Sequence, residues 1–491
     1  MFDKLKQKFE KLTDNEPPVG TIDIGGEMSW DLVYKYRYNH GVNLGALFVL
    51  EKWIYEDVFE HGGDSEFDAI QNYLNNGNSP DQVAQKLKDH YNSYINKIPW
   101  DFLQNDAGIT AFRVPIGYWH VRNGDLLSGL PFEPHQKVYQ LAKPMDFLND
   151  LFNKANERGI GILIDIHGLP GGANGDSHSG FNNGGANFFG NSGYVDKMCN
   201  EIIPAIVNDM CKTHMNAIGL QVVNESVFDN NAQGQKKYYK KAIQTVAKIQ
   251  SGLPVIISDG WWPQQFSDWV KSEKFDLMTV IDSHVYRTFS DSDKSKNADQ
   301  IIDELPGSVN FNKNDADFMV GEFSGVLDEQ TWQKSPGDRN EYVKRFLNKQ
   351  LEVFENTSSY GWFFWTLQFQ WGDGGEWGLV PMFERGGLKK RPANNNFNID
   401  ENRVNQLIQD HINYWKDKGG DKFEHWRYED GLRGAINDIA AFARFGNSRI
   451  GRWHSWKTLR RNLYIAQKGD SQYMWEWDQG FDRAIQDFNR Y

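Results

Sequence analysis

AIGLQVVNE, residues 217–225, is a continuous apolar run that stops on a carboxylate. Continuous rather than alternating hydrophobicity is how a strand buried on both faces reads, and such strands belong to parallel sheets covered by helices. ADFMVGE (316–322) does the same and ends on a second glutamate. Six more runs flank these two: GVNLGALFVL (41–50), ITAFRVPIG (109–117), GIGILIDIHG (159–168), LPVIISDG (253–260), LMTVIDSH (277–284) and YGWFFWT (360–366). Helical spacing falls between several of them, in PMDFLNDLFNKANERG (144–159), QKKYYKKAIQTVAKIQSG (235–252) and EYVKRFLNKQLEVFENT (341–357). Eight buried strands alternating with helices are the count for an α/β fold of the (β/α)8 TIM barrel type. A doubly wound sheet is the alternative, but the GxGxxG expected after its first strand is missing.

The stretch VNQLIQDHINYWKDKG (404–419) reads as the final barrel helix, ending on Gly419 and Gly420. That places a catalytic barrel at 1–420, led by an N-terminal helix with Phe2, Leu5, Phe9 and Leu12 on one face. Residues 421–491 carry further helical signals, as in GLRGAINDIAAFARFG (431–446), and hold Trp426, Trp453, Trp456, Trp475 and Trp477. About seventy residues this polar are marginal alone, so a C-terminal helical, Trp-rich extension packed on the barrel is expected. Its tryptophans fall in helical patterns, and core packing is a better reading for them than a carbohydrate platform.

The apolar fraction of 39% and aromatic fraction of 14% in 491 residues are those of a globular chain. A net charge of −13 with no polybasic block argues against nucleic acid, which needs a basic face. The two cysteines, Cys199 and Cys211, fit no zinc spacing, and HExxH is absent, so no metal and no cofactor is called for. They read as reduced thiols. MFDKLKQKFEKLTDNEPP at the start has no apolar h-region, and no apolar run approaches a membrane span. The expectation is an intracellular, cytoplasmic protein.

In barrels of this type chemistry sits where the strands end. In order, the ends read Glu51, Arg113, His167, Asn224 with Glu225, Asp259, His284 with Tyr286 just beyond, Glu322 and Trp365. One such carboxylate would suit a salt bridge. Two, from strands four and seven, face each other across the mouth with an arginine, two histidines, a tyrosine and a tryptophan around them. Glycoside hydrolysis needs this pair: one carboxylic acid donates to the leaving oxygen while one carboxylate attacks the anomeric carbon. Arg113 with Tyr286 would keep Glu322 ionised, and Glu225, farther from positive charge, would stay protonated. Trp365 offers a flat face to a pyranose ring.

With these residues in place, HGVNLGALFVLEKWI (40–54), FRVPIGYWHV (112–121), LIDIHGLPGGANG (163–175), QVVNES (221–226), DSHVY (282–286), GEFSG (321–325) and GWFFWTLQFQWGDGGEWGL (361–379) are similar, in order and spacing, to glycoside hydrolase family five. Within that retaining barrel family the chain resembles the fungal exo-β-1,3-glucanases, over about residues 40–380. The resemblance implies that Glu225 is the acid/base and Glu322 the nucleophile. It further implies that Arg113, His167, Asn224, His284, Tyr286 and Trp365 line the glucose subsite, with Glu51 holding a hydroxyl at its blind end. The usual Asn-Glu-Pro is here Asn224-Glu225-Ser226. Phe289 matches one of two phenylalanines that clamp the second sugar in that group, and Asp176 stands where the other would be.

Other signals have plainer readings. The Gly-rich stretch 168–193 has no GK[ST] and reads as a loop at the barrel mouth, with His178 an ordinary loop residue or, as the alternative, one that lines the entrance. Asp259 reads as a structural hydrogen-bond partner near the barrel top. The leading function is a retaining exo-β-glucosidase of the glucan 1,3-β-glucosidase type, its partner a β-glucan oligosaccharide. The half-lost clamp favours a rival partner, a β-glucoside of a lipid or aromatic aglycone. A catalytically silent sugar-binding protein would have lost Glu225 or Glu322, and both are present.

Overall fold

The computed structural model describes residues 24–490 apart from 182–184, 310, 312–314 and 390–396, so the helix expected around Phe2–Leu12 lies outside the described residues. Each of the eight apolar runs overlaps a strand. These are β1 Asn39–Asn43, β2 Ala111–Gly117, β3 Gly161–Gly168, β4 Ala217–Gln221, β5 Val255–Ser258, β6 Thr279–Val285, β7 Asp317–Phe323 and β8 Gly361–Phe364. They pair in chain order, all parallel, and β8 returns to β1 with Phe363 opposite Gly41, closing the barrel. A Cβ on Gly41 would meet the Phe363 ring at 2.1 Å, so only glycine admits that ring.

One run outlasts its strand. β1 stops at Asn43, and Leu44 to Leu50 continue as buried irregular chain. The Leu44 N–H turns to Arg113 O (2.9 Å), that of Gly45 to Thr366 Oγ1 (2.9 Å), and Ala46 takes φ 58°. Hydrophobicity reports burial, and burial here extends beyond the ladder. Glu51 therefore sits on a loop eight residues past β1, not at the strand's end.

Ala111, Leu163, Ile218, Ile256, Val280, Met319 and Phe363 from seven strands fill one layer of the barrel interior with Tyr34 and Tyr360. Tyr34 comes from helix α1 (Trp30–Tyr36), capped by Ser29 Oγ accepting from Leu32 N at 3.3 Å. Next to it Arg37 donates to Gly159 O at 3.0 Å. The end of the barrel where strands begin is thus plugged, and space remains only where they finish.

Helices α2 (Pro144–Asn156), α3 (Gln233–Ile249) and α4 (Arg339–Thr357) form where the periodicity predicts them and bury their apolar faces on the barrel's outside. A later helix, α5 (Glu401–Lys416), differs from its reading as the last barrel helix. Val404, Leu407 and Ile408 pack into a second core with α6 (His425–Ala443), α7 (Trp453–Lys468) and α8 (Met474–Phe488). A 3.6-residue stripe says that a helix buries one face, not against what. This second core docks on the plugged end: Arg452 donates to Leu277 O at 2.6 Å, and Tyr38 N donates to Arg449 O at 3.0 Å. Trp456 and Trp477 are buried in it, Trp453 and Trp475 half-buried, and Trp426 is exposed. Cys199 and Cys211 are free and buried, and burial pushes both thiols up to about 12. No helix among the described residues is long and apolar enough to cross a membrane.

Candidate active site

The open end of the barrel is organised by a fully buried arginine. Arg113, in β2, donates from Nε to Gln221 Oε1 (2.8 Å) and from Nη1 to Asn43 Oδ1 and Glu322 Oε1 (both 2.9 Å). Its Nη2 donates to Asn224 Oδ1 at 2.7 Å and lies 3.1 Å from Asp165 Oδ2. Burial opposes its charge, and Asp165, Glu322 and Asp282 more than restore it. One rigid fork thereby fixes side chains carried by β1, β3, β4 and β7.

Glu322 lies near the end of β7, held by Arg113 on Oε1 and by the Tyr286 hydroxyl, which donates to Oε2 at 2.9 Å. The residue before it has to be glycine: a Cβ at Gly321 would sit 2.2 Å from Asp282 Oδ1, which accepts the Gly321 N–H at 2.7 Å. Glu225 follows β4 on a backbone with φ 42°, a left-handed conformation disfavoured for a side chain of this size. Its Oε1 is 2.7 Å from His284 Nδ1 and its Oε2 is 3.2 Å from His178 Nε2. One carboxylate oxygen of each glutamate lies within 4.8 Å of the other.

His284 bridges the pair, its Nδ1 also 3.4 Å from Glu322 Oε2 and its Nε2 3.0 Å from Asp282 Oδ2. Both ring nitrogens face carboxylates, so both carry protons. Burial works against that charge, but Glu322 and Asp282 outweigh it and raise the ring well above the usual imidazole range. His178 is raised in the same way: burial lowers it, and Asp176 and Glu225 prevail. Burial alone would raise Glu225, yet hydrogen bonds from His178 and His284 hold it well below the usual carboxylate range. This corrects the expectation that Glu225 stands away from positive charge. In the free site the proton lies on the neighbouring rings.

These atoms stand close enough for a metal ion, but Arg113 already supplies a permanent cation to Glu322. His167 donates from Nδ1 to Asp165 at 2.6 Å, leaving Nε2, 3.3 Å away, to accept from Asn224 Nδ2. Asp259 takes Ser283 Oγ–H (2.6 Å) and the Trp261 N–H (2.8 Å), with burial raising it to about 6. That agrees with its structural reading.

A cavity of about 750 Å³ occupies the mouth, lined by Glu51, His167, Asn224, Glu225, His284, Tyr286, Phe289, Glu322 and Trp365. Arg113 lies beneath its floor. The side chains read as catalytic or sugar-binding are thus brought to one place. Glu51 accepts from Trp53 Nε1 at 2.8 Å, and burial raises it. It also borders a second chamber of about 600 Å³, which shares Trp53 and His178 with the first. Asp176 lines the mouth with Phe289, and Trp261 and Trp377 add aromatic faces.

Sequence reading gave His178 as a loop residue with entrance lining as the alternative, and it is the alternative that holds; the reading missed the pair Asp165 and Asp282. The latter had a signal: IDIH and IDSH each place Asp and His two apart, on the same face of one strand. In both, the aspartate holds a nitrogen of its own histidine.

A barrel mouth with two facing glutamates on an arginine–histidine frame asks to be compared with known glycosidases. The profile of Cellulase (glycosyl hydrolase family 5) matches residues 74–370. The chain belongs to glycosyl hydrolase family 5. As a member of that family it is a glycosidase with a carbohydrate substrate. A second profile, the glucan 1,3-beta-glucosidase 3 C-terminal domain, matches residues 398–491 and so begins just before α5, where the second core does. Over their full lengths, the chain is 54% identical to an uncharacterized glycosyl hydrolase of Saccharomyces cerevisiae. It is 29% identical to glucan 1,3-beta-glucosidase 3 of Schizosaccharomyces pombe, covering 92% of this chain and 95% of that one. Rutinosidase from Aspergillus niger shares the fold, with TM-score 0.53 and 20% identity over 74% of this chain and all of that one.

Proposed function

We propose that the chain is a retaining, exo-acting β-glucosidase of the glucan 1,3-β-glucosidase type. The observation that carries this reading is the pair of glutamates, with oxygens within 4.8 Å of each other and different partners. Retaining enzymes hold their carboxylates about 5–5.5 Å apart, whereas inverting ones need room for a water between them. Glu322, steadied by Arg113 and Tyr286, attacks the anomeric carbon, and the bond to the leaving oxygen breaks. Glu225 takes a proton over 2.7 Å from His284 or 3.2 Å from His178 and passes it to that oxygen, which leaves Glu225 a carboxylate. Water, deprotonated by Glu225, then releases the sugar from Glu322. Asn224, fixed by Arg113, is placed to hold the 2-hydroxyl, and Trp365 to stack on the ring.

Two substrates fit the mouth. Short β-1,3-gluco-oligosaccharides suit Phe289 and the relation to the glucan 1,3-beta-glucosidases. A glucoside of a lipid or aromatic aglycone suits the exposed apolar rim of Trp53 (51%), Trp261 (53%), Phe289 (64%) and Trp371 (73%). A 2-fluoro-β-glucoside with a good leaving group should label Glu322, as read by peptide mass, and Glu322→Gln should take no label. Label on another residue, or release of α-glucose as first product, would refute the mechanism. Glucose release from laminari-oligosaccharides and from aryl and lipid glucosides, measured side by side, decides between the substrates.

A further inference from the structure

Far from the barrel mouth, three side chains converge in the C-terminal domain: His411 on α5, His425 at the start of α6 and Glu476 on α8. His411 Nε2 and His425 Nδ1 each lie 2.9 Å from the same oxygen, Glu476 Oε2. Glu476 is wholly buried, and among the described residues no group partners its other oxygen, Oε1. Its only ion-pair partners among them are the two imidazoles, and no lysine or arginine joins them. A buried carboxylate with one oxygen unmet is costly.

We propose that His411, His425 and Glu476 form a divalent metal site, with zinc the ion their chemistry suits best. Two imidazole nitrogens and one carboxylate oxygen are a donor set that zinc takes, with water in the fourth position. At zinc–ligand distances of about 2.0–2.2 Å, tetrahedral neighbours stand about 3.3 Å apart. The present 2.9 Å separations need to open by only a few tenths of an ångström. The outward side, where His425 is half-buried, admits the water. The rings are held in orientation: Tyr428 stacks on His411 with centroids 3.8 Å apart, and Phe423 and His411 flank His425 edge-on. Gly420 passes so near that a Cβ there would lie 3.2 Å from His425 Nε2.

The ion would tie together three helices whose ligands span 65 residues of chain. Such a clip stabilises the folded domain because the unfolded chain offers no preformed site. The role is structural, since the second core sits on the plugged end of the barrel, opposite the catalytic cavity.

The test uses the full-length chain, freed of any affinity tag and dialysed against EDTA. Zinc is added back and measured by elemental mass spectrometry together with thermal unfolding. About one zinc per chain and a rise in Tm of about 3 °C are expected. Cobalt(II) in its place should show the visible bands of a four-coordinate ion. His425→Ala should lose the metal and the rise while still hydrolysing an aryl β-glucoside, and Glu476→Gln should lose the metal too. Glu322→Gln should keep both metal and rise. Failure to bind stoichiometric zinc, or an unchanged Tm, would overturn the proposal. So would metal retained by His425→Ala and lost in Glu322→Gln, which would place it in the catalytic pocket.

Discussion

Replacing Glu225 by alanine removes the proposed acid and leaves its two partners in place. General acid catalysis contributes about 10²–10⁴-fold, which is about 3–5 kcal/mol of barrier. That loss should fall on substrates whose leaving oxygen needs a proton. On an alkyl β-glucoside kcat/KM is expected to drop by about 10²–10⁴, and on 2,4-dinitrophenyl β-glucoside by less than about tenfold. The geometry adds a second, independent signature. The lost carboxylate accepted from His284 Nδ1 at 2.7 Å and from His178 Nε2 at 3.2 Å, so its removal opens an anion-sized hole between two charged rings. Azide should enter that hole, attack the glucosyl–Glu322 ester and raise turnover of the dinitrophenyl substrate, giving β-glucosyl azide. Steady-state rates with both substrates, with and without azide, and NMR of the product make the assay. Equal losses on the two substrates with no azide effect would refute the assignment of Glu225 and the charge placed around it.

Three further outcomes are expected. Arg113→Met leaves Glu322, Asp165 and Asp282 facing one another without their buried cation, and should cost about 3–5 kcal/mol in urea unfolding together with activity. The raised histidines His178 and His284 contribute stability that is full below about pH 6.5 and falls as pH rises through their folded-state values; the lowered Glu225 contributes above about pH 4.3 and loses it on acidification. Tm should therefore decline above neutrality, and less steeply in His178→Asn; superimposable curves would show that His178 is uncharged. Asp176→Phe restores the second half of the aromatic clamp opposite Phe289 and should raise kcat/KM on laminaribiose about two- to tenfold, at about 0.5–1.5 kcal/mol per aromatic contact.

The barrel was legible because eight buried strands leave eight apolar runs, and the site was legible because barrel chemistry gathers at strand ends. Glu225, Glu322, His284 and Trp365 needed no more than that. Glu51 was found for a partly wrong reason: its run stayed apolar after the ladder ended at Asn43, so a loop looked like a strand. The helix at 401–416 was visible as a helix, but its partner was not, since an apolar stripe fits any apolar surface.

Sequence alone determined which polar side chains follow the buried strands and in what order they meet the mouth, because strand order is written along the chain. Charge was another matter. Whether Glu225 holds a proton depends on His178 and His284, which lie 47 and 59 residues from it along the chain and 3.2 and 2.7 Å from it in space. Glu476 likewise meets its two imidazoles, which come from other helices, only in the folded chain. Electrostatic energy follows through-space distance and burial, and only the folded chain defines either.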